Sequence, residues 1–177
     1  HGLVEALFTV DEESGMTGAN NLQPDVLKGD ILINMDSEDE GELYIGCAGG
    51  INGNFKFAYK QESVPAGMKA FKINISGLKG GHSGLDIPLG RGNSCKIMIR
   101  LLHHGIKDHG LHLASIDAGN MRNAIPREAN AIIVLPESEA GKFSSCFEKM
   151  TAKIKAELSV TEPGLKIAME ATVLPDF

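Results

Sequence analysis

From residue 70 onward the apolar residues of this chain switch period repeatedly, and the order of those switches constrains the fold more than any other feature. Ala70 to Ser76 alternates apolar and polar positions, the pattern of a strand with one buried face. Asn93 to Ile106 carries Ile97, Met98, Leu101, Leu102 and Ile106 at helical spacing. Leu111 to Asp117 alternates again, and Glu128 to Leu135 reads as another strand. Ser138 to Leu158 places Phe143, Phe147, Met150, Ile154 and Leu158 on one helix face, and Gly164 to Val173 closes with a strand. The order is β-α-β-β-α-β, the split βαβ arrangement.

Such a unit predicts a ferredoxin-like α+β domain, an open antiparallel sheet with two helices on one face. The residues before it read differently. Val4 to Val10 and Asp30 to Asp36 are short apolar runs that end in acids, as buried strands of an α/β sheet do. Gly41 to Cys47 and Asn54 to Lys60 alternate and read as further strands, and the stretch from Met16 to Gly29 has room for one or two short helices. Ala48 to Gly50 forms a joint. The expected organisation is part of an α/β catalytic domain over 1–48, followed over 49–177 by a ferredoxin-like βαββαβ lid.

Seventeen Lys and Arg stand against 23 Asp and Glu, a net charge of −6, which argues against nucleic acid as a partner because phosphate binding needs a basic face. The absence of an 18-residue apolar run predicts no membrane span. The first residues lack both the basic and the apolar parts of a signal peptide, and they lack an initiator Met, so the chain reads as cut from something longer. Cys47, Cys95 and Cys146 are odd in number and widely spaced, which fits reduced thiols in a cytoplasmic protein.

Three constellations carry chemistry. Glu12 and Glu13 follow the first apolar run and Asp36 ends the second. Ligands of open α/β sheets bind beyond the carboxyl ends of strands. Carboxylates gathered there suit a divalent zinc or manganese, with a spare acid as general base; the alternative is a solvated acidic turn. Glu38, Asp39, Glu40 and Glu42 read as a surface charge run. The second constellation is Gly80-Gly81-His82-Ser83-Gly84. An imidazole among glycines is exposed and can stabilise an oxyanion, or the segment is a simple turn. The third is Asn123, ahead of Pro126, whose amide can meet a substrate carboxylate or bond its own backbone. His103 and His104 project about 100° apart on a helix. With His109 and His112 they read as surface or helix-end residues rather than ligands.

Taken together, Phe8-Thr-Val-Asp-Glu12-Glu13-Ser-Gly15, Asp36, Gly80-Gly-His82-Ser-Gly84 and Asn123-Ala-Ile-Pro126 resemble the co-catalytic zinc metallopeptidases of the carboxypeptidase G and peptidase T-like superfamily. The phrases Gly29-Asp-Ile-Leu-Ile-Asn-Met-Asp36, Gly46-Cys-Ala-Gly-Gly50 and Arg122-Asn-Ala-Ile-Pro-Arg127 are similar to its aminoacyl-histidine (Xaa-His) dipeptidase branch. The resemblance implies hydrolysis of dipeptides by a water held between two zinc ions per full-length subunit, with manganese or cobalt as substitutes. It implies that Glu12 is the general base, that Glu13 and Asp36 are metal ligands, that His82 stabilises the oxyanion and that Asn123 contacts the substrate. It also implies a homodimer formed through the lid.

The His-x-Asp motif, the bridging Asp and the late ligand His of that superfamily have no counterpart here. Two carboxylates alone cannot hold two zinc ions, so these 177 residues are expected to be an inactive fragment. The competing readings are an acyl-amino-acid deacylase or tripeptidase of the same superfamily, and a non-catalytic lid and dimerisation module.

Overall fold

A computed structural model describes residues 2–36, 39–47, 49–51 and 53–176. The chain divides into two units, His1–Phe55 and Lys56–Phe177.

The second unit holds the expected βαββαβ order. Its main elements are β1 (Met68–Ser76), α3 (Ser94–His109), β3 (His112–Ala118), β5 (Ala129–Pro136), α4 (Ala140–Glu157) and β6 (Lys166–Thr172). They make one four-stranded sheet in the order β3-β5-β1-β6, with every neighbouring pair antiparallel. Ile73 stands opposite Ala131 on one side and Met169 on the other, so all three project to the same face. That face meets the helices. Ile73, Ile75, Ile133 and Leu135 of the sheet, Met98 and Leu101 of α3, and Phe143 and Ile154 of α4 are each 1% exposed or less. A buried side chain of this size contributes about 1.5–3 kcal/mol, which makes this cluster the foundation of the unit.

Local signals set the helix ends. The Asn93 side chain accepts the Lys96 N–H at 3.1 Å and caps α3. Gly110, at φ 63°, ends it in the left-handed conformation that glycine adopts without strain. A second, small ladder was not anticipated: β2 (Gly81–His82), within the Gly80–Gly84 run, pairs antiparallel with β4 (Ala124–Ile125).

The first unit departs from expectation. Its described elements are two single turns of helix, α1 (Glu12–Gly15) and α2 (Thr17–Asn20). The expected strands at Val4–Val10, Asp30–Asp36 and Gly41–Cys47, and the one expected at Asn54–Lys60 across the division between the units, carry no ladder among the described residues. The reason is that a strand satisfies its backbone only against a neighbour, and these segments run beside none. Phe8 is 92% exposed and Ile45 98%. Among the described residues, a tie joining distant parts of this unit is the Glu5 carboxylate, which accepts the Lys28 and Gly29 N–H groups at 2.8 Å. Glu38 of the acidic run and Ala48 of the joint lie outside the described residues.

Candidate functional site

In the second unit the β2–β4 ribbon brings two of the expected residues together. His82 stands opposite Ala124, and Ser83 N–H donates to the Asn123 carbonyl at 3.0 Å, so the backbones of His82 and Asn123 are near neighbours across one short ribbon. The loop around His82 is built to orient its ring. Gly84 and Leu85 N–H groups donate to His82 Nδ1 at 3.0 and 3.2 Å. A nitrogen that accepts two amide protons carries none itself, so the ring proton sits on Nε2. The side chain is exposed, which leaves that N–H for a ligand. Below it, Asp86 Oδ2 accepts the His82 backbone N–H at 2.8 Å. Gly81, at φ 148°, lies so close that a Cβ there would strike Asp86 Oδ2, so the position admits only glycine. Asp86 was not singled out in the sequence; its signal was its place four residues after His82, the reach of a turn.

Beside the ribbon lies a cleft of about 480 Å³, lined by Lys79, Gly80, Asp117, Asn120, Arg127 and Asn130 among others. It mixes both signs of charge with amides. Asn74 donates from its carboxamide to Asn130 Oδ1 at 2.9 Å on the neighbouring sheet surface.

In the first unit, α1 sets Glu12 and Glu13 side by side in its only turn, both exposed. Left-handed residues bracket that turn: Asp11 at φ 58° and Met16 at φ 57°. Such backbone strain in non-glycine residues collects at functional sites. Asp36 lies on an extended stretch, where its N–H donates to Asn34 Oδ1 at 3.0 Å. Among the described residues no three His, Cys, Asp or Glu side chains converge on a point that could hold a metal. Glu13 and Asp36 therefore do not make up a zinc site by themselves, since zinc takes four ligands with imidazole or thiolate among them.

Some of the other acids and histidines have local partners. The Tyr44 hydroxyl is shared between Asp39 Oδ2 and Glu42 Oε2, each at 2.7 Å. Those two carboxylates, Asp39 foremost, hold its proton on and push its pKa up to about 12. His103, His104 and His112 are exposed, whereas His109 ends α3 half-buried, 3.1 Å from Glu139 Oε2. The Lys142 ammonium, and after it His109, holds the Glu139 carboxyl below its ordinary range.

A four-stranded antiparallel sheet under two helices, with a polar cleft and an oriented imidazole beside it, is a ferredoxin-like α+β domain. Residues 66–162 match the Peptidase dimerisation domain, and the chain belongs to that family. Two relatives extend the similarity over nearly the whole chain. The cytosol non-specific dipeptidase of Escherichia coli (strain K12) is 43% identical over 171 residues, which are 97% of this chain and 35% of the relative. The crystal structure of the aminoacylhistidine dipeptidase from Vibrio alginolyticus superposes with a TM-score of 0.74 at 39% identity, covering 94% of this chain and 34% of that one. The chain thus spans about a third of the length of these relatives.

Proposed function

We propose that this chain is the lid and a part of the catalytic domain of a metal-dependent dipeptidase that acts on Xaa-His dipeptides in the cytoplasm. The observation that carries the reading is the orientation of His82. Its Nδ1 is committed to the Gly84 and Leu85 amides, so Nε2–H is available to the oxygen of a scissile carbonyl as negative charge develops there. Asn123, across the ribbon, would hold the substrate backbone or carboxylate. Both relatives are dipeptidases over nearly the whole of this chain, which supports dipeptide hydrolysis, and the Vibrio alginolyticus relative, an aminoacylhistidine dipeptidase, supports the Xaa-His class.

In the finer form of the proposal, Glu12 takes the proton of the attacking water, and Glu13 and Asp36 each supply one ligand to a pair of zinc ions. The described residues complete neither shell, so the imidazoles and the shared carboxylate would come from elsewhere in a longer polypeptide. The exposed apolar runs around Phe8 and Ile33 would be covered by other parts of such a catalytic domain.

The lid also has the surface for a homodimer. Ile99 and Ile106 are exposed on α3 seven residues apart, and Leu113 and Ile116 are exposed on the edge strand β3, on the face of the sheet that carries the helices. A second copy pairing there would bury this strip, and sheet edges are natural sites for such pairing.

The test is steady-state hydrolysis of Ala-His with added zinc. The full-length polypeptide should turn over, and His82→Ala should lower its kcat about 10²–10³-fold, the usual effect of losing one oxyanion donor. The 177-residue chain alone should show no turnover. Turnover by that chain, or a His82→Ala enzyme at full kcat, overturns the reading.

A further inference from the structure

The loop that carries His82 leaves β1 at Gly77 and rejoins α3 at Asn93, and one side chain from the α4–β6 connection fastens both of its ends. Glu162 is 2% exposed. Its Oε2 accepts the Lys79 N–H at 2.8 Å and its Oε1 accepts the Gly92 N–H at 2.8 Å. The two ends of a long glycine-rich loop are therefore tied to a single carboxylate. The surroundings are fitted to this. A Cβ on Gly92 would lie 2.5 Å from Leu78 Cδ2 and 3.0 Å from Glu162 Cγ. A Cβ on Gly77 would strike the Gly164 carbonyl oxygen. Glu162 is itself braced, its N–H donating to Leu158 O at 2.7 Å and its carbonyl accepting Leu165 N–H at 3.1 Å.

Taking a carboxylate out of water costs several kcal/mol, and a neutral side chain would fill the same space without that cost. What a neutral side chain lacks is two acceptor oxygens for two outward-pointing amides. We propose that Glu162 is a positioning residue for His82. It closes the neck of the loop, and the closed neck keeps the inner turn in which Gly84 and Leu85 hold Nδ1. Opening the neck frees the loop to separate at its base, and the ring then loses the pair of amides that fix its tautomer and direction. This rests on the proposal that His82 Nε2–H serves the substrate. The coupling of neck to ring is a property of the loop and can be measured without turnover.

The experiment is amide hydrogen exchange and long-range ¹H–¹⁵N spectroscopy of the His82 ring in the 177-residue chain, compared with Glu162→Gln. A buried donor left without its acceptor loses about 1–3 kcal/mol, and 1.4 kcal/mol is tenfold in an equilibrium. Exchange at Lys79 or Gly92 should therefore quicken about tenfold or more. Gly84 and Leu85 should quicken with it, and the ring should change from a single Nε2–H tautomer to a mixture. Ile73 and Ile133, in the middle of the sheet, should exchange as before. Neck amides that quicken while Gly84, Leu85 and the ring stay unchanged overturn the proposal. Should the sheet amides of Glu162→Gln also lose protection, Glu162→Asp decides. It keeps the charge but withdraws it by one methylene, and it must loosen Gly84 and Leu85 or the proposal fails. A His82→Ala enzyme at full kcat would defeat the functional reading and leave the exchange result standing.

Discussion

The two units use the same apolar residues to opposite ends. Residues 1–55 contain eleven acids and a single lysine, whereas residues 56–177 contain sixteen lysines and arginines against twelve acids. Among the described residues of the first unit none is buried, while the second closes a core around Phe143, 1% exposed. The difference is not hydrophobicity, since Ile31-Leu32-Ile33 is as apolar as any stretch of the sheet. It is partnership. A helix closes its hydrogen bonds within itself, but a strand must borrow donors and acceptors from another segment. In the second unit each strand of the sheet finds its neighbour within the same unit. In the first unit the described segments find none, and acidic side chains crowd the runs between them.

The largest test of this contrast uses one residue type in both places. Phe143→Ala should cost about 3–5 kcal/mol, because it opens a cavity under both helices. Phe8→Ala should change stability by less than about 0.5 kcal/mol. Urea unfolding followed by far-ultraviolet circular dichroism measures both, and an equal cost would break the comparison.

A smaller effect comes from glycine. A Cβ at Gly105 would strike Leu111 Cδ1 and lie 2.9 Å from Phe143 Cε2, whereas one at Gly49 meets nothing within 4 Å. Gly105→Ala should destabilise by about 1–3 kcal/mol through overpacking, and Gly49→Ala should be near neutral. The same unfolding curves decide it.

The smallest effect is electrostatic and belongs to the packed unit. Lys142 and His109 favour the charged form of Glu139, so its folded pKa lies below the ordinary 4.5. The stabilisation is therefore present above about pH 4.5 and is lost as pH falls through the folded value. Glu139→Gln should flatten that part of the stability–pH curve, and salt should shrink the difference between the two proteins.

The same contrast explains what the sequence made legible. The βαββαβ order was readable because Ile73, Met98, Ile133 and Phe143 lie in periodic runs whose partners are in the same chain. The strands expected around Val4–Val10 and Asp30–Asp36 form no ladder among the described residues, because pairing is not a local property and no sequence window contains it. At the site, His82 and Asn123 stood out through their glycines and proline. Their meeting across β2 and β4 did not, since two residues per strand leave no alternation to detect. Asp86 had a faint local signal. Glu162 had none, because it sits in a Thr-Glu-Pro-Gly turn and works on backbone far away along the chain.

One irregularity in the sheet has a consequence for how these chains behave in a crowd. The register of β3 against β5 slips between Leu113 and Ser115, a bulge in the strand that forms one border of the sheet. A bulge twists the strand and breaks the even spacing of its free amides and carbonyls. A border of that kind is a poor template for the flat, indefinitely repeated stacking that turns uncovered β-structure into fibres. The domain can keep apolar side chains along that border at little risk of polymerising.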